Sequence, residues 1–291
     1  MGNSLVIIPT YNEKENIAPI IDAVFQLPGN FHILIVDDNS PDKTAEIVKE
    51  LQKKYTGKLH LLERPNKKGL GRAYISGFKW ALKHQYEYIF EMDADFSHDP
   101  NDLPRLLKAC EDGYDIAIGS RYVKEGKVEN WPFGRILMSY FASVYVRMIL
   151  WINIQDTTSG FKCYRRKVLE TMDLDLIQFN GYAFQIEMKY YALKLGFKIK
   201  EIPITFKDRN QGQSKMSKAI FKEALIGVWK MRFKNYLCME YCREPSIISC
   251  TTEGSNKVEV SPRLLKSRSA IFLKILLMIL PLRVFGSPLT N

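Results

Sequence analysis

The chain has 291 residues, 46% of them hydrophobic and 25% charged, with a formal net charge of +10. That is enough for one large α/β domain plus an appendage with a substantial core. The excess of positive charge points to an anionic partner: nucleic acid, an anionic membrane surface or a phosphorylated ligand. Five cysteines without a C-x-x-C pair, and only four scattered histidines, argue against a zinc site.

The start of the chain, Met1-Gly2-Asn3-Ser4 running straight into "LVIIP", has no signal-peptide pattern. Position 6 is valine, so Gly2 lacks the Ser/Thr of a myristoylation site. The expectation is a protein of the reducing, cytosolic side. Up to residue 120 strand and helix patterns alternate. "SLVIIP" is a short β-branched strand, and "EKENIAPIIDAVFQL" carries Ile17, Ile20, Ile21 and Val24 at helical spacing. "FHILIVDD" is the second strand and "PDKTAEIVKELQKKY" the second helix. "KLHLLER", "YEYIFEM" and "YDIAIGSR" read as further strands, separated by helices in "GLGRAYISGFKWALKH" and "PNDLPRLLKACEDG". This alternation predicts βαβ crossovers and a mostly parallel sheet flanked by helices. "GLGRAYISG" is not a dinucleotide fingerprint: it follows the third strand with the wrong spacing, and tight helix–sheet contact is the expected use of its glycines.

After residue 130 the pattern changes. "PFGRILMSYFASVYVRMILWIN" is long, apolar and amphipathic. "TTSGFKCYRR" reads as a strand with a Gly bend, "YAFQIEMKYYALKLG" as a helix, "FKIKEIPITFKDR" as one strand, and "QSKMSKAIFKEALIGVWKMRFKNY" as a basic amphipathic helix. Between residues 196 and 236, ten Lys and Arg stand against three acids, a local excess of seven. Residues 1–235 are expected to form one domain. Residues 236–291 are expected to form a turn-rich, poorly ordered tail whose apolar segment, "AIFLKILLMILPLRVF", is interrupted by Lys274, Pro281 and Arg283 and falls short of a ~20-residue span.

Ligands of parallel sheets bind beyond the carboxyl ends of the strands. Here those ends carry Thr10, Tyr11, Asn12 and Glu13; Asp37 and Asp38; Asp93 and Asp95; Ser120 and Arg121. Asp93 and Asp95, one residue apart at a strand end, repel each other unless something neutralises them. One hard divalent ion, Mg2+ or Mn2+, held by both carboxylates and leaving positions for phosphate oxygens, resolves the repulsion. The other reading is a loop of solvated acids capping the following helix. Glu13, Ser40 and Asp42 have a similar capping alternative.

Taken in order, "PTYNE", "VDDNSPDKT", "MDADFSHDP", "GSRY", "TTSGFKCYRR", "EIPITF" and "DRNQGQSK" resemble the family 2 inverting glycosyltransferases of the GT-A fold. Within that family they are most similar to the dolichol-phosphate (polyprenyl-phosphate) mannose synthases, over roughly residues 5–235. The resemblance implies a nucleotide-sugar donor, GDP-mannose, a polyprenyl phosphate acceptor, and inversion at the sugar. It implies that Pro9, Tyr11, Glu13, Val36 and Asp38 hold the nucleoside, and that Asp93, Ala94 and Asp95 meet the diphosphate and the metal. Arg121 would contact phosphate, Arg209 and Lys215 would fold over the donor diphosphate, and Arg135 with Ser139 would grip the lipid's phosphate. Asp95, Arg121 and Arg209 would carry the catalytic charge stabilisation. Ser97 stands where some relatives carry a metal-reaching glutamine. An acceptor that is already anionic needs no strong general base, so His98 is expected to be structural.

A lipid acceptor also implies peripheral attachment to the cytoplasmic face of a membrane, through the 133–153 stretch and the basic helix, with or without a small membrane-anchoring subunit. Two alternatives stand beside this reading. One is the same chemistry with UDP-glucose or another UDP-sugar. The other is a non-catalytic lipid- or nucleotide-binding relative, against which the intact Asp93, Asp95, Arg121, Arg209 and Lys215 argue. No nucleic-acid recognition motif is present, so no nucleic-acid partner is expected.

Overall fold

A computed structural model describes residues 3–208 and 218–234. Arg209 and Lys215, the loop that holds them, and the tail from residue 236 onward lie outside the described residues. The first strands are Ser4–Thr10 (β1), Phe31–Asp37 (β2), Leu59–Glu63 (β3), Tyr88–Glu91 (β4) and Ile116–Ser120 (β5). Between them run the helices Ile17–Phe25 (α1), Thr44–Lys54 (α2), Leu70–Lys83 (α3) and Leu103–Glu111 (α4), the last entered through a 3-10 turn at Pro100–Asp102. These match the strand and helix patterns in the sequence, because each strand is a short run rich in apolar residues and each helix carries one apolar stripe.

The second half adds Lys127–Glu129 (β6), Phe133–Leu150 (α5), Lys162–Arg165 (β7), Arg166–Thr171 (α6), Gly181–Lys194 (α7), Ile199–Pro203 (β8), Thr205–Lys207 (β9) and Lys218–Lys234 (α8). The main sheet has the order β3-β2-β1-β4-β7-β5-β8, and β6 pairs with β9 in a separate two-stranded sheet. All pairings of the main sheet are parallel except those of β7, which runs antiparallel between β4 and β5. The sheet is therefore mostly parallel, with one reversed strand that the alternation alone did not reveal. "FKIKEIPITFKDR" is not one strand. It breaks after Pro203, which has no N–H for a ladder, and Ile204 donates its N–H to the Ser120 carbonyl (3.1 Å) before the chain crosses to the second sheet.

Two apolar layers cover the sheet. One, around Ile7, Val36, Tyr74, Phe78 and Phe184, lies against α3, α6 and α7; the other, around Val6, Ile20, Ile35, Phe90 and Leu106, lies against α1, α2 and α4. The glycines of α3 serve close packing. A Cβ on Gly77 would lie 2.7 Å from the Ile7 side chain, and one on Gly71 would lie 2.8 Å from the Phe179 carbonyl. A third cluster, with Val146, Leu150, Ile186, Tyr190, Val228 and Met231, ties α5, α7 and α8 together.

The outer face of α5 is uncovered. Phe133, Leu137, Met138, Tyr140, Phe141 and Met148 are exposed along it. By length and composition this helix is also apolar enough to cross a membrane.

Candidate active site

The carboxyl ends of β1, β2, β4 and β5 meet at one edge, and the backbone there is strained. Asn12, Asn39 and Phe96 have φ of 59°, 55° and 57°. The left-handed region disfavours side chains, a bulky aromatic most of all. Such conformations persist where the surroundings over-determine them, commonly at ligand sites.

At the β1–β2 end, Asp37 accepts from the Thr10 hydroxyl (2.8 Å) and from the Ser40 main chain (2.9 Å) and hydroxyl (2.6 Å). Asp37 is thus a brace for the turn rather than an outward-facing group. Asp38 is buried and pairs with Arg64 (3.2 Å). Burial foremost raises its carboxyl above the usual range, opposed by Arg64. The Arg64 Nη1 atom is buried without a hydrogen-bond partner. The Lys67 ammonium lies 3.8 Å from the centre of the Tyr11 ring. Glu13 accepts from the Asn16 side chain (2.9 Å), and Asp42 braces the α2 entry through Thr44 and the Lys14 main chain (3.0 Å). Pro9 is half-buried at the same end. The Val36 side chain is in the core, so it offers this edge only its main chain.

At the β4 end the chain alternates. Ala94 turns into the core while Asp93 and Asp95 stay half-exposed on either side. The Tyr74 hydroxyl reaches Asp93 Oδ1 (3.4 Å), and burial pushes that phenol well above its ordinary pKa, so it remains a donor. The Ser97 main-chain N–H donates to Asp95 Oδ1 (3.1 Å). Ser97 itself is buried, and its carbonyl accepts from the Lys207 main chain (3.2 Å), which ties the loop to β9. His98 is buried face to face with Phe161 (4.9 Å between ring centres), and burial foremost lowers its pKa to about 4. A neutral, ring-packed imidazole fits the structural role read from the sequence.

The Asp93 and Asp95 donor set fits Mg2+ or Mn2+. Both are hard oxygen donors on the solvent side of a fixed turn. Among the described residues no group of three His, Cys, Asp or Glu forms a complete cage. Such ions take one or two protein carboxylates and fill the remaining positions with water and phosphate oxygens.

At the β5 end, Arg121 lines a cavity of about 90 Å³ together with Arg135, Ser139 and Thr158, between walls from α5, α7 and α8 that include Met138, Ala142, Val146, Ile186 and Val228. Arg121, singled out in the sequence as a phosphate contact, thus shares one cavity with Arg135 and Ser139, singled out for the lipid's phosphate, and the rest of the lining is mostly apolar. Arg135 lies 4.0 Å from the centre of the Trp131 ring and pairs with Asp208 (3.1 Å).

The sequence reading missed Asp156. Fully buried, it accepts from Arg121 Nε and Nη2 (2.7 Å each), from the Arg121 main-chain N–H (3.1 Å) and from Ser159 N–H (3.0 Å). Burial opposes both charges, but each partner outweighs it: Arg121 is raised above the usual arginine value and Asp156 lowered. A second buried pair, Glu91 and Lys162 (3.1 Å), lies two residues before Asp93, with Tyr164 (2.7 Å) and Gln185 (2.8 Å) donating to Glu91. Burial lowers Lys162, opposed by Glu91. A charge inside the otherwise apolar run YIFEM was the sequence signal for Glu91, and none of that kind marked Lys162 in KCYR.

This sheet order, with carboxylates at the β4 end and cations at the β5 end, defines a GT-A glycosyltransferase architecture. Among solved structures, glucosyl-3-phosphoglycerate synthase from Mycobacterium tuberculosis, in complex with Mn2+, UDP-glucose and glycerol 3-phosphate, superposes with a TM-score of 0.60 at 16% identity, covering 79% of this chain and 80% of that one. The family described as Glycosyl transferase family 2 matches residues 5–173, and the chain belongs to that family. The chain is 46% identical over 231 residues to the polyprenol monophosphomannose synthase of Mycolicibacterium smegmatis, covering 79% of this chain and 87% of that protein. It is 43% identical over 224 residues to the undecaprenyl-phosphate mannosyltransferase of Micrococcus luteus, covering 77% and 91%. It is 43% identical over 230 residues to the dolichol-phosphate mannosyltransferase of Pyrococcus furiosus, covering 78% of this chain and 62% of that protein.

Proposed function

We propose that this chain transfers a mannosyl group from GDP-mannose to a polyprenyl phosphate, with inversion at the anomeric carbon. The observation that carries this reading is the cavity in which Arg121, Arg135 and Ser139 meet apolar walls. Two guanidinium groups in a lining that is otherwise mostly apolar suit an amphiphile with an anionic head. The names of the mannosyltransferases to which the chain is 43–46% identical support the same acceptor class and sugar.

On this reading an acceptor phosphate oxygen forms the new bond to the anomeric carbon as the bond to the donor's β-phosphate oxygen breaks, and the nucleoside diphosphate leaves. The phosphate monoester is already anionic near neutral pH, so no side chain must remove a proton. Arg121, Arg135 and Ser139 orient the acceptor head; Asp38, Tyr11, Glu13 and Pro9 are assigned to the nucleoside, and Arg209 and Lys215 to the diphosphate, from the sequence. Asp93 and Asp95 would hold a divalent cation, which when bound stabilises charge on the leaving diphosphate. The protein's contribution is positioning and electrostatic stabilisation. The uncovered apolar face of α5, the helix that also lines the cavity, supports peripheral attachment at the membrane that carries the lipid.

The test is transfer from radiolabelled GDP-mannose and UDP-glucose to a polyprenyl phosphate, with Mg2+, Mn2+ or excess chelator. The expected result is a mannolipid from GDP-mannose alone, and only with metal. A lipid product made equally well from UDP-glucose refutes the donor assignment, and no transfer to any polyprenyl phosphate refutes the reaction.

A further inference from the structure

The loop at residues 155–159 is held far more tightly than a surface connection needs. Glu201 accepts from the main-chain N–H groups of Gln155 (2.8 Å) and Asp156 (2.9 Å). Lys189, buried on α7, donates to the carbonyls of Thr157 (2.9 Å) and Ser159 (2.7 Å). The Ser159 hydroxyl donates to the Gly119 carbonyl (2.6 Å), which fixes the loop to the end of β5. A buried cation and a half-buried carboxylate are therefore spent on five residues, one of which, Asp156, is itself a buried charge. Buried ion pairs seldom add stability over apolar side chains of the same volume, so stability alone does not account for them.

What the loop does is present Asp156 to Arg121. A guanidinium has a side fork, Nε with one Nη, and an end formed by the two Nη atoms. Asp156 takes the side fork at 2.7 Å on both bonds, and Thr158 accepts a further Nη2 hydrogen (2.8 Å). Nη1 meets no acceptor among the described residues, while Arg121 lines the apolar cavity. The rings of Tyr122, Trp131 and Phe206 stand 5.1, 5.6 and 5.3 Å from the guanidinium carbon and leave the group little room to turn.

Building on the proposed reaction, we infer that Asp156 is a positioning residue for the acceptor. It holds the side of the Arg121 guanidinium so that the Nη1 end alone meets the lipid phosphate, while Lys189 and Glu201 hold the Asp156 loop in register. Arg121 is therefore an end-on ligand, and the sequence motif that contains it is incomplete without a residue 35 positions later.

Steady-state transfer with the full-length chain, varying acceptor and donor separately, tests this. Asp156→Asn should lower acceptor kcat/KM by ~100-fold, the scale set by a misplacement of about 1 Å, and leave the donor KM unchanged. In an Arg121→Gln background the same substitution should change acceptor kcat/KM by less than about twofold, because the two residues act as one unit. Glu201→Gln, on a half-buried side chain, should lower acceptor kcat/KM in the same selective way by a smaller factor, and it decides the matter if Asp156→Asn does not fold. Folded variants with acceptor kcat/KM within about twofold of wild type, or with donor and acceptor KM moving together, overturn the inference while leaving the reaction intact. A wild type that transfers to no polyprenyl phosphate overturns both, since Arg121 would then have no lipid phosphate to meet.

Discussion

Gly126 lies in the loop that follows β5, folded back against the residues that carry the Arg121 side chain. A Cβ placed there would sit 2.7 Å from the Arg121 carbonyl carbon and oxygen and 2.7 Å from the Ser120 carbonyl oxygen. All three are main-chain atoms, so no rotamer change can relieve the clash. Either the 121–126 loop opens or the end of β5 shifts. Forcing a methyl into such a site typically costs about 1–3 kcal/mol. Taking roughly 3 °C per kcal/mol for a fold of this size, Gly126→Ala should melt some 3–9 °C below wild type. Because the atoms that must move are those of Arg121, acceptor KM should rise as well. Gly134→Ala is the control: nothing lies within 4 Å of its Cβ position, and it stands in α5, where alanine is the better helix former. Differential scanning calorimetry and initial rates against acceptor concentration are the measurements. A Gly126→Ala protein that melts within about 1 °C of wild type, with unchanged acceptor kinetics, would refute the packing argument.

Three further outcomes are expected. Asp95→Ala, or excess chelator with the wild type, should abolish transfer without lowering the melting temperature of the metal-free protein, because removing one carboxylate relieves its repulsion with Asp93; full turnover in chelator sinks the metal assignment. Burial lowers the pKa of His32 and His60, and that of His98 to about 4, below the ordinary 6.5, so each is neutral in the fold and takes up a proton more readily when unfolded. Their contribution is complete above pH 6.5 and is lost as pH falls below it, for His98 down to about 4, so melts taken from pH 7.5 to 5 should fall, and a flat series would refute this. Phe133 and Phe141 are 77% and 57% exposed on α5, and at ~200 Å² per ring and ~25 cal/mol per Å² each can supply up to about 3–4 kcal/mol on insertion. Replacing both with serine should abolish flotation with anionic liposomes, and unchanged flotation would rule out this face as the contact.

The first five strands were legible because each is a short run rich in apolar residues alternating with helical patterns, and the carboxyl-edge residues followed from the crossover rule. The place of β7 was not. Its sequence, KCYR, says nothing of which strands it separates or in which direction it runs, since both depend on partners far away in the chain. β6 and β9 are three residues each, too short to show a period. At the site, Arg121, Arg135 and Ser139 were singled out by motif and do line one cavity. Asp156 and Lys189 escaped notice because local patterning treats a loop aspartate and a helix lysine as solvated. Only tertiary packing buries them, and only burial makes their partners matter.

The reversed strand has a consequence for how the molecule is made. β7 wedges between β4 and β5 but emerges from the ribosome after both, with Phe90 and Ala117 each finally pairing to Cys163. Until residues 162–165 are synthesised, the facing edges of β4 and β5 have no correct neighbour. They must not zip to each other, a shortcut that would lock the newcomer out. Long-range pairing of this kind is slow and exposes strand edges to aggregation. Glu91 stands on β4 opposite Lys162, and a β4–β5 pairing formed without β7 would leave that carboxylate without its partner, which disfavours the premature closure. The salt bridge that lies beneath the carboxylate turn is thus completed only when the last strand of this part of the sheet is in place.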